Sequence, residues 1–172
     1  DPFNDIKVTI KQNNLEHSQI HDLKPLFVKN NELVYDYEDD NTFWGNNEFR
    51  NFDITSLRYF SERIKNITYE ENNNHVFLFP DQKRSFNNYT IKPDINGKFI
   101  IKSKEGWNSN IEADYAWVYF NLHNDSITYG DLYLIGEMSN WSIKNDFRLL
   151  FNKQENKYEA SIYLKQGYYN YY

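Results

Sequence analysis

The fold class is decided by the stretch Tyr115-Ala116-Trp117-Val118-Tyr119-Phe120-Asn121-Leu122, in which two kinds of side chain alternate without a break. Successive side chains of a β-strand point to opposite faces of the sheet. One face of this stretch therefore carries alanine, valine, phenylalanine and leucine, and the other carries tyrosine, tryptophan and asparagine. The period of two predicts a strand with an aliphatic core face and an aromatic outer face.

Other segments of the chain repeat this pattern. Residues 6–10 and 157–164 alternate with the same period, and residues 76–79 form a short apolar run that ends at Pro80. Aromatic residues make up 19% of the 172-residue chain, and aromatic side chains favour the pleated sheet. Short strands separated by turn signals predict an all-β fold made of immunoglobulin-like β-sandwich domains.

Asparagine-rich turns predict where the chain reverses. Asn30-Asn31 separates two apolar runs, and Asn96-Gly97 separates residues 89–91 from residues 98–102. Asn-Gly between apolar runs is a strong hairpin signal. The final strands, within residues 147–172, are predicted to form a meander.

Residues 104–110 are the best candidate for a linker, because they are polar, contain glycine and precede a new strand pattern. We therefore predict two domains in tandem: a β-sandwich-like domain over residues 1–103 and an immunoglobulin-like domain over residues 111–172. The second domain ends inside an apparent strand, so we expect it to be truncated at its carboxy-terminal end.

Charge and composition exclude several classes of protein. The net charge of −6 argues against a nucleic-acid partner, and the absence of cysteine excludes disulfides and thiol catalysis. No apolar run approaches the ~18 residues of a membrane-spanning helix. The sequence contains no phosphate-binding loop, nucleophile elbow or zinc-ligand spacing. We therefore predict no enzymatic activity, no cofactor, no metal site and no small-molecule substrate.

The stretch Asn47-Glu48-Phe49-Arg50-Asn51-Phe52-Asp53-Ile54-Thr55-Ser56-Leu57-Arg58-Tyr59 mixes charge with core material. Residues 48–54 are predicted to form a strand, and residues 57–69 a second, long strand, with a helix over residues 56–67 as the alternative. Charges inside an apolar strand either support the fold locally or mark a recognition surface. Because arginine and aromatic residues are enriched in interface cores, the candidate interaction residues are Arg50, Asp53 and Arg58.

One resemblance concerns the second half of the chain. The segment Gly130-Asp131-Leu132-Tyr133-Leu134-Ile135-Gly136-Glu137-Met138-Ser139-Asn140-Trp141, followed later by Gly167-Tyr168-Tyr169, is similar to early-set immunoglobulin-like domains found beside glycogen-handling enzymes. In glycan-binding members the tryptophan at this place stacks on sugar rings. This resemblance makes Trp141 a candidate sugar-binding residue, and the alternative function is that of a carbohydrate-binding module of a glycan-degrading system.

A second resemblance covers nearly the whole chain. Residues 31–37, the stretch 47–59, and residues 94–99, 111–116 and 165–171 recur in this order in the plug proteins of the type IX secretion system of Bacteroidota, and the chain resembles the central portion of that family. The resemblance implies a non-enzymatic periplasmic protein of several β-sandwich domains. Its partner would be the giant outer-membrane β-barrel translocon of the SprA type, whose periplasmic opening it would bind and seal.

Overall fold

The computed structural model describes residues 1–12, 15, 18–43, 49–84, 94–123 and 129–172. Its described residues form thirteen strands and only short helices, so the predicted all-β fold is confirmed. The chain divides into two compact units, Asp1–Asn46 and Asn47–Tyr172.

The first unit contains a short helix and two antiparallel strand pairs. Helix α1 spans Pro2–Asp5, β1 (Val8–Lys11) pairs with β2 (Gln19–Leu23), and β3 (Phe27–Lys29) pairs with β4 (Glu32–Val34). Asn30 and Asn31 connect β3 to β4 with φ angles of 51° and 66°. Asparagine tolerates this left-handed conformation, which a tight hairpin requires, so the hairpin predicted at this turn is confirmed.

The second unit contains a six-stranded sheet and a three-stranded sheet. The strands are β5 (Arg50–Asp53), β6 (Ile64–Glu70), β7 (Asn73–Leu78), β8 (Phe99–Ile101), β9 (Tyr115–His123), β10 (Leu132–Tyr133), β11 (Arg148–Asn152), β12 (Lys157–Lys165) and β13 (Gly167–Tyr171). The larger sheet has the order β10-β11-β12-β9-β7-β6, and the smaller has the order β5-β13-β8. Strands β7 and β9 run parallel, and the other neighbours run antiparallel.

Among the residues of this unit that the structure describes, helical structure occurs only in connecting segments. Helix α2 spans Ser109–Glu112, and single 3₁₀ turns span Glu137–Ser139 and Asn145–Phe147. These elements lie in connections between strands, so the sheets alone supply the framework of the unit.

The two sheets share one hydrophobic core, as in a β-sandwich. The larger sheet contributes Val76, Val118 and Phe120, and the smaller contributes Phe52 and Tyr169; all five are almost completely buried. The Phe52 ring stacks on Tyr169 with a centroid distance of 5.1 Å and meets Phe120 edge-on at 5.4 Å. Aromatic pairs in these geometries stabilise a core beyond their buried area.

The predicted division of the chain at residues 104–110 requires correction. Strands before this segment pair with strands after it in both sheets, as β7 does with β9 and β8 with β13. Residues 104–110 therefore lie within one unit instead of separating the predicted domains 1–103 and 111–172. Local composition cannot distinguish a linker from a polar loop of this kind.

Two predicted strands are shorter than expected. Strand β5 begins at Arg50, while Glu48 lies outside the described residues. Residues 57–59 bend and residues 62–63 form a turn, so the extended strand begins only at Ile64 and runs to Glu70. The bend has a local cause, because the Ser56 hydroxyl accepts hydrogen bonds from the backbone N–H groups of both Arg58 and Tyr59, each at 3.1 Å.

The predicted meander at the end of the chain is wrong in its last step. Strands β11 and β12 pair, but β13 pairs with β5 and β8 in the other sheet. Gln166 alone separates β12 from β13, so the chain crosses between sheets at this residue. Similarly, the turn at Asn96-Gly97 is present, with positive φ at both residues, but the predicted hairpin arm 89–91 lies outside the described residues.

Candidate interaction surface

Arg50 belongs to an ion-pair cluster around the carboxylate of Asp81. Its Nε lies 3.2 Å from Asp81 Oδ1, and its Nη2 donates to the backbone carbonyl of Gln82 at 2.9 Å. Arg63 donates to the same Asp81 oxygen at 2.7 Å, and the Tyr171 hydroxyl donates to Asp81 Oδ2 at 2.6 Å. The Arg50 and Asp81 side chains are only 16% and 12% exposed. The Arg50 guanidinium thus joins β5 to the segment that follows β7.

The Tyr171 hydroxyl is a permanent donor in this cluster. Burial, together with the neighbouring Asp81 carboxylate, raises the pKa of Tyr171 well above the ordinary value of a phenol. The phenol therefore keeps its proton at physiological pH and donates a hydrogen bond to the carboxylate.

Asp53 also has partners inside the molecule. Its Oδ1 accepts from the backbone N–H of Thr55 at 2.8 Å and from the Thr55 hydroxyl at 2.6 Å, and its Oδ2 lies 3.8 Å from Lys104 Nζ. These bonds fix the turn that follows β5. Of the three predicted interaction residues, Arg50 and Asp53 therefore contribute to the fold, whereas Arg58 is exposed.

The carboxylate of Glu105 joins two loops at one end of the sandwich. It accepts hydrogen bonds from the hydroxyls of Ser56 and Ser103 and, at 2.8 Å, from the Gln166 amide. The backbone N–H of Lys104 also donates to the Thr55 carbonyl at 2.8 Å. Residues 55–60 and 103–108 consequently leave the sandwich at the same end.

Glu105 makes the stability of this region dependent on pH. Burial opposes ionisation, but hydrogen bonds from Ser56 and Gln166 outweigh it, so the pKa of Glu105 lies below its ordinary value. A carboxylate with a lowered pKa in the folded state stabilises the protein above its unfolded pKa of about 4.3, and this contribution disappears as the pH falls through the folded pKa.

We therefore expect Glu105→Gln to lower the urea midpoint at pH 7 and to have a smaller effect near pH 3. Urea unfolding followed by circular dichroism over this range measures the difference. An equal difference at both pH values would show that the charge of Glu105 is not the stabilising feature.

Trp141, the candidate sugar-binding residue, is partly buried. Its ring meets Phe49 edge-on, with a centroid distance of 6.1 Å and an interplanar angle of 77°. It also covers Gly97, where an added Cβ would lie 2.3 Å from the indole. Part of the indole is therefore engaged in packing within its own unit.

An aromatic face lies on the side of the six-stranded sheet that points away from the core. Along β7, β9 and β12 its residues alternate with core residues such as Val76, Val118 and Ile162. Strand register places Trp117 opposite both His75 and Tyr163. We define the aromatic face by six residues: His75, Phe77, Tyr115, Trp117, Tyr119 and Tyr163.

The rings of the aromatic face stack on one another. Phe77 and Tyr119 are stacked at 4.5 Å, Tyr115 and Tyr163 at 5.2 Å, and Trp117 lies 5.0 Å from Tyr163. Tyr115 and Tyr163 nevertheless remain 48% and 47% exposed. Because the ring faces contact each other, a partner that bound this surface would contact ring edges and polar groups.

A groove of about 920 Å³ adjoins the aromatic face. Phe77, Tyr119 and the exposed Leu150 line its apolar part. Among its charged groups, Lys157 contacts Glu159 at 2.8 Å, and Glu159 also accepts from Asn152 at 2.8 Å. The groove is therefore an apolar surface with a polar border.

The sequence predicts only some of the residues of the aromatic face. The alternation in β9 predicts an outward aromatic side, and Tyr163 is expected to face outward from β12. His75 and Phe77 could not be assigned to it, because their place depends on the parallel pairing of β7 with β9.

Within the described ranges, no group of three or more histidine, aspartate or glutamate side chains is placed to hold a metal ion. None of the helices among these residues is both long enough and apolar enough to span a membrane.

Comparison with known proteins identifies a structural relative. Neither a model of a known protein family nor a curated protein matches the sequence. The fold is similar to the crystal structure of a hypothetical protein from Parabacteroides merdae, with a TM-score of 0.88 and 30% sequence identity. The similarity covers 99% of this chain and 43% of that chain, so this chain spans less than half the length of its structural relative.

Proposed function

We propose that this chain is the central portion of a type IX secretion plug protein. In this role it is a non-enzymatic periplasmic subunit that binds the giant outer-membrane β-barrel translocon and seals its periplasmic opening. The order of the five motifs supports the proposal, and the structural relative comes from a Bacteroidota species, the phylum of that secretion system. A wide, water-filled barrel would leak without such a stopper.

The main structural support for this proposal is the aromatic face. Large aromatic residues occupy a sheet surface that a simple sandwich covers with polar residues, and the adjoining groove has a polar border. Tyrosine and tryptophan dominate the energetics of many protein interfaces. We assign the contact with the translocon to this face, with Tyr115 and Tyr163 at its more exposed end.

The polar clusters described above support the fold of the domain. Asp81 is held by Arg50, Arg63 and Tyr171, and Glu105 by Ser56 and Gln166. In each cluster the carboxylate joins separate segments of the backbone, as a structural group does.

We expect Tyr163→Glu to reduce capture of the barrel at least about tenfold, because burying an unpaired charge in an interface costs more than 1.4 kcal/mol. The measurement is affinity purification of the tagged full-length protein from detergent-solubilised outer membranes, followed by quantification of the barrel by mass spectrometry. Leu150→Asp, at the adjoining groove, tests the same surface from another strand.

Tyr129→Glu is the matched control, because Tyr129 is fully exposed and lies outside the aromatic face. The proposal is wrong if the barrel fails to co-purify with the wild-type protein. Assignment to the aromatic face fails if Tyr129→Glu reduces capture as much as Tyr163→Glu does. Retention on glycan beads that is lost in Trp141→Ala would instead favour a carbohydrate-binding module.

A further inference from the structure

Strand β6 forms a free edge of the six-stranded sheet in the part of the chain that the structure describes, because it pairs with β7 on one side only. A bulge between Ile64 and Asn66 interrupts the start of this strand, whereas the pairing with β7 is regular over residues 66–70. These five residues include no proline, which would block pairing with a further strand. We call residues 66–70 the open edge.

The turn after β6 determines which backbone groups of the open edge point outward. Glu70 pairs with Asn73 across a two-residue turn whose φ angles are 50° and 63°. Such a turn is closed by a hydrogen-bonded pair, and hydrogen-bonded and non-hydrogen-bonded pairs then alternate along the ladder. Ile67 and Tyr69 therefore direct their N–H and C=O groups away from β7. Among the described residues, no segment outside the sheet bonds to these outward groups.

A second strand of the same sequence fits the open edge. When two copies align antiparallel about Thr68, Ile67 of each copy lies opposite Tyr69 of the other, and these are the residues whose backbone groups point outward. The same alignment places Asn66 opposite Glu70, so that a side-chain amide can donate to a carboxylate. Because the arrangement has a two-fold axis, each of these pairs occurs twice.

This alignment also covers an exposed ring. The Tyr69 side chain is 67% exposed, whereas Ile67 packs against the core and lies opposite the buried Val76. Contact between the Tyr69 ring and Ile67 of the second copy forms a cross-strand aromatic–β-branched pair, which stabilises a sheet. Alignment about Ile67 would instead place Tyr69 opposite Lys65, which lies in the bulge. The alignment about Thr68 is therefore the better one.

We propose that two copies of this chain join through their open edges into a dimer with one continuous sheet. The outward backbone groups require an extended polypeptide as partner, and the matched side chains identify that polypeptide as a second copy. Antiparallel pairing of identical edges keeps equivalent sheet surfaces on one side, so the two aromatic faces also lie on the same side of the dimer. The inference concerns a surface other than the proposed translocon contact and does not depend on that function.

Sedimentation velocity of the purified chain over a concentration series measures this association. The wild type is expected to change from monomer to dimer as its concentration rises. Tyr69→Pro removes an outward N–H without breaking a bond to β7, and the two-fold axis doubles the loss, so the dissociation constant should rise at least about tenfold. Tyr163→Ala is the matched control, because it removes a tyrosine side chain from β12, away from the open edge, and should leave association unchanged.

Disulfide cross-linking tests the alignment without a proline in the strand. The chain contains no cysteine, so a single introduced thiol reports the contact. Thr68→Cys places the two thiols opposite each other at the two-fold axis, whereas Tyr69→Cys offsets them by two residues along the strand, beyond the reach of a disulfide. Under mild oxidation Thr68→Cys should cross-link at least about fivefold faster than Tyr69→Cys, although Tyr69 is the more exposed side chain.

Three results would overturn the inference: a wild type that stays monomeric throughout the series, equal association of Tyr69→Pro and Tyr163→Ala, or cross-linking of Tyr69→Cys as fast as that of Thr68→Cys. None of these measurements involves the barrel. Failure of this inference therefore leaves the capture experiment on the aromatic face unaffected.

Discussion

Phe52→Ala is expected to lower the free energy of unfolding by about 3–5 kcal/mol. The Phe52 side chain is fully buried and contacts rings from both sheets, with Phe120 on one side and Tyr169 and Tyr171 on the other. Removing the ring leaves a cavity at the centre of the sandwich that neighbouring aromatic residues cannot fill without losing their stacking. Urea unfolding followed by circular dichroism measures the change.

Phe60→Ala is the control for this prediction, because it deletes the same ring from an exposed position eight residues further along the chain. Its effect should stay within about 0.5 kcal/mol. Similar losses for the two variants would mean that Phe52 is not the centre of the shared core.

Asp81→Asn is expected to lower the free energy of unfolding by about 3 kcal/mol. The change leaves Arg50 and Arg63 without the carboxylate that both contact, and breaking a buried pair from one side typically costs 3–5 kcal/mol. We take the lower end of that range, because the Arg63 side chain retains 29% exposure. Differential scanning calorimetry at neutral pH provides the measurement.

Asp131→Asn is the matched control, since Asp131 pairs with Arg148 at 2.6 Å but both side chains are largely exposed. Exposed ion pairs contribute about 1 kcal/mol or less. If Asp81→Asn were no more harmful than Asp131→Asn, the cluster at Arg50 would be dispensable for the fold. Arg50 would then become a candidate for recognition again.

The all-β class could be predicted because its signals are local. The alternation in β9 and the paired asparagines between β3 and β4 depend on neighbouring residues only, and both predictions agree with the structure. Each rests on backbone geometry that a few residues determine by themselves.

The remaining features depend on contacts between distant segments. Arg50 meets Asp81 and Tyr171 only after β5, β7 and β13 have come together. The sequence around Arg50 therefore does not predict these contacts. Residues 104–110 resemble a linker in composition, yet Glu105 within them bonds to Ser56 and Gln166. The exposure of Trp107 could not be predicted either, because tryptophan is usually buried to a large extent.

The central position of β13 has a consequence for synthesis on the ribosome. This strand lies between β5 and β8, but both partners precede it in sequence. Until residues 167–171 emerge, β5 and β8 have no strand between them. The apolar side of β5 that carries Phe52 then lacks its contacts with Tyr169 and Tyr171. Contacts over such long sequence separations slow folding and leave strand edges open to other chains. In a nascent chain, the Phe52 side of β5 therefore stays partly uncovered until β13 appears.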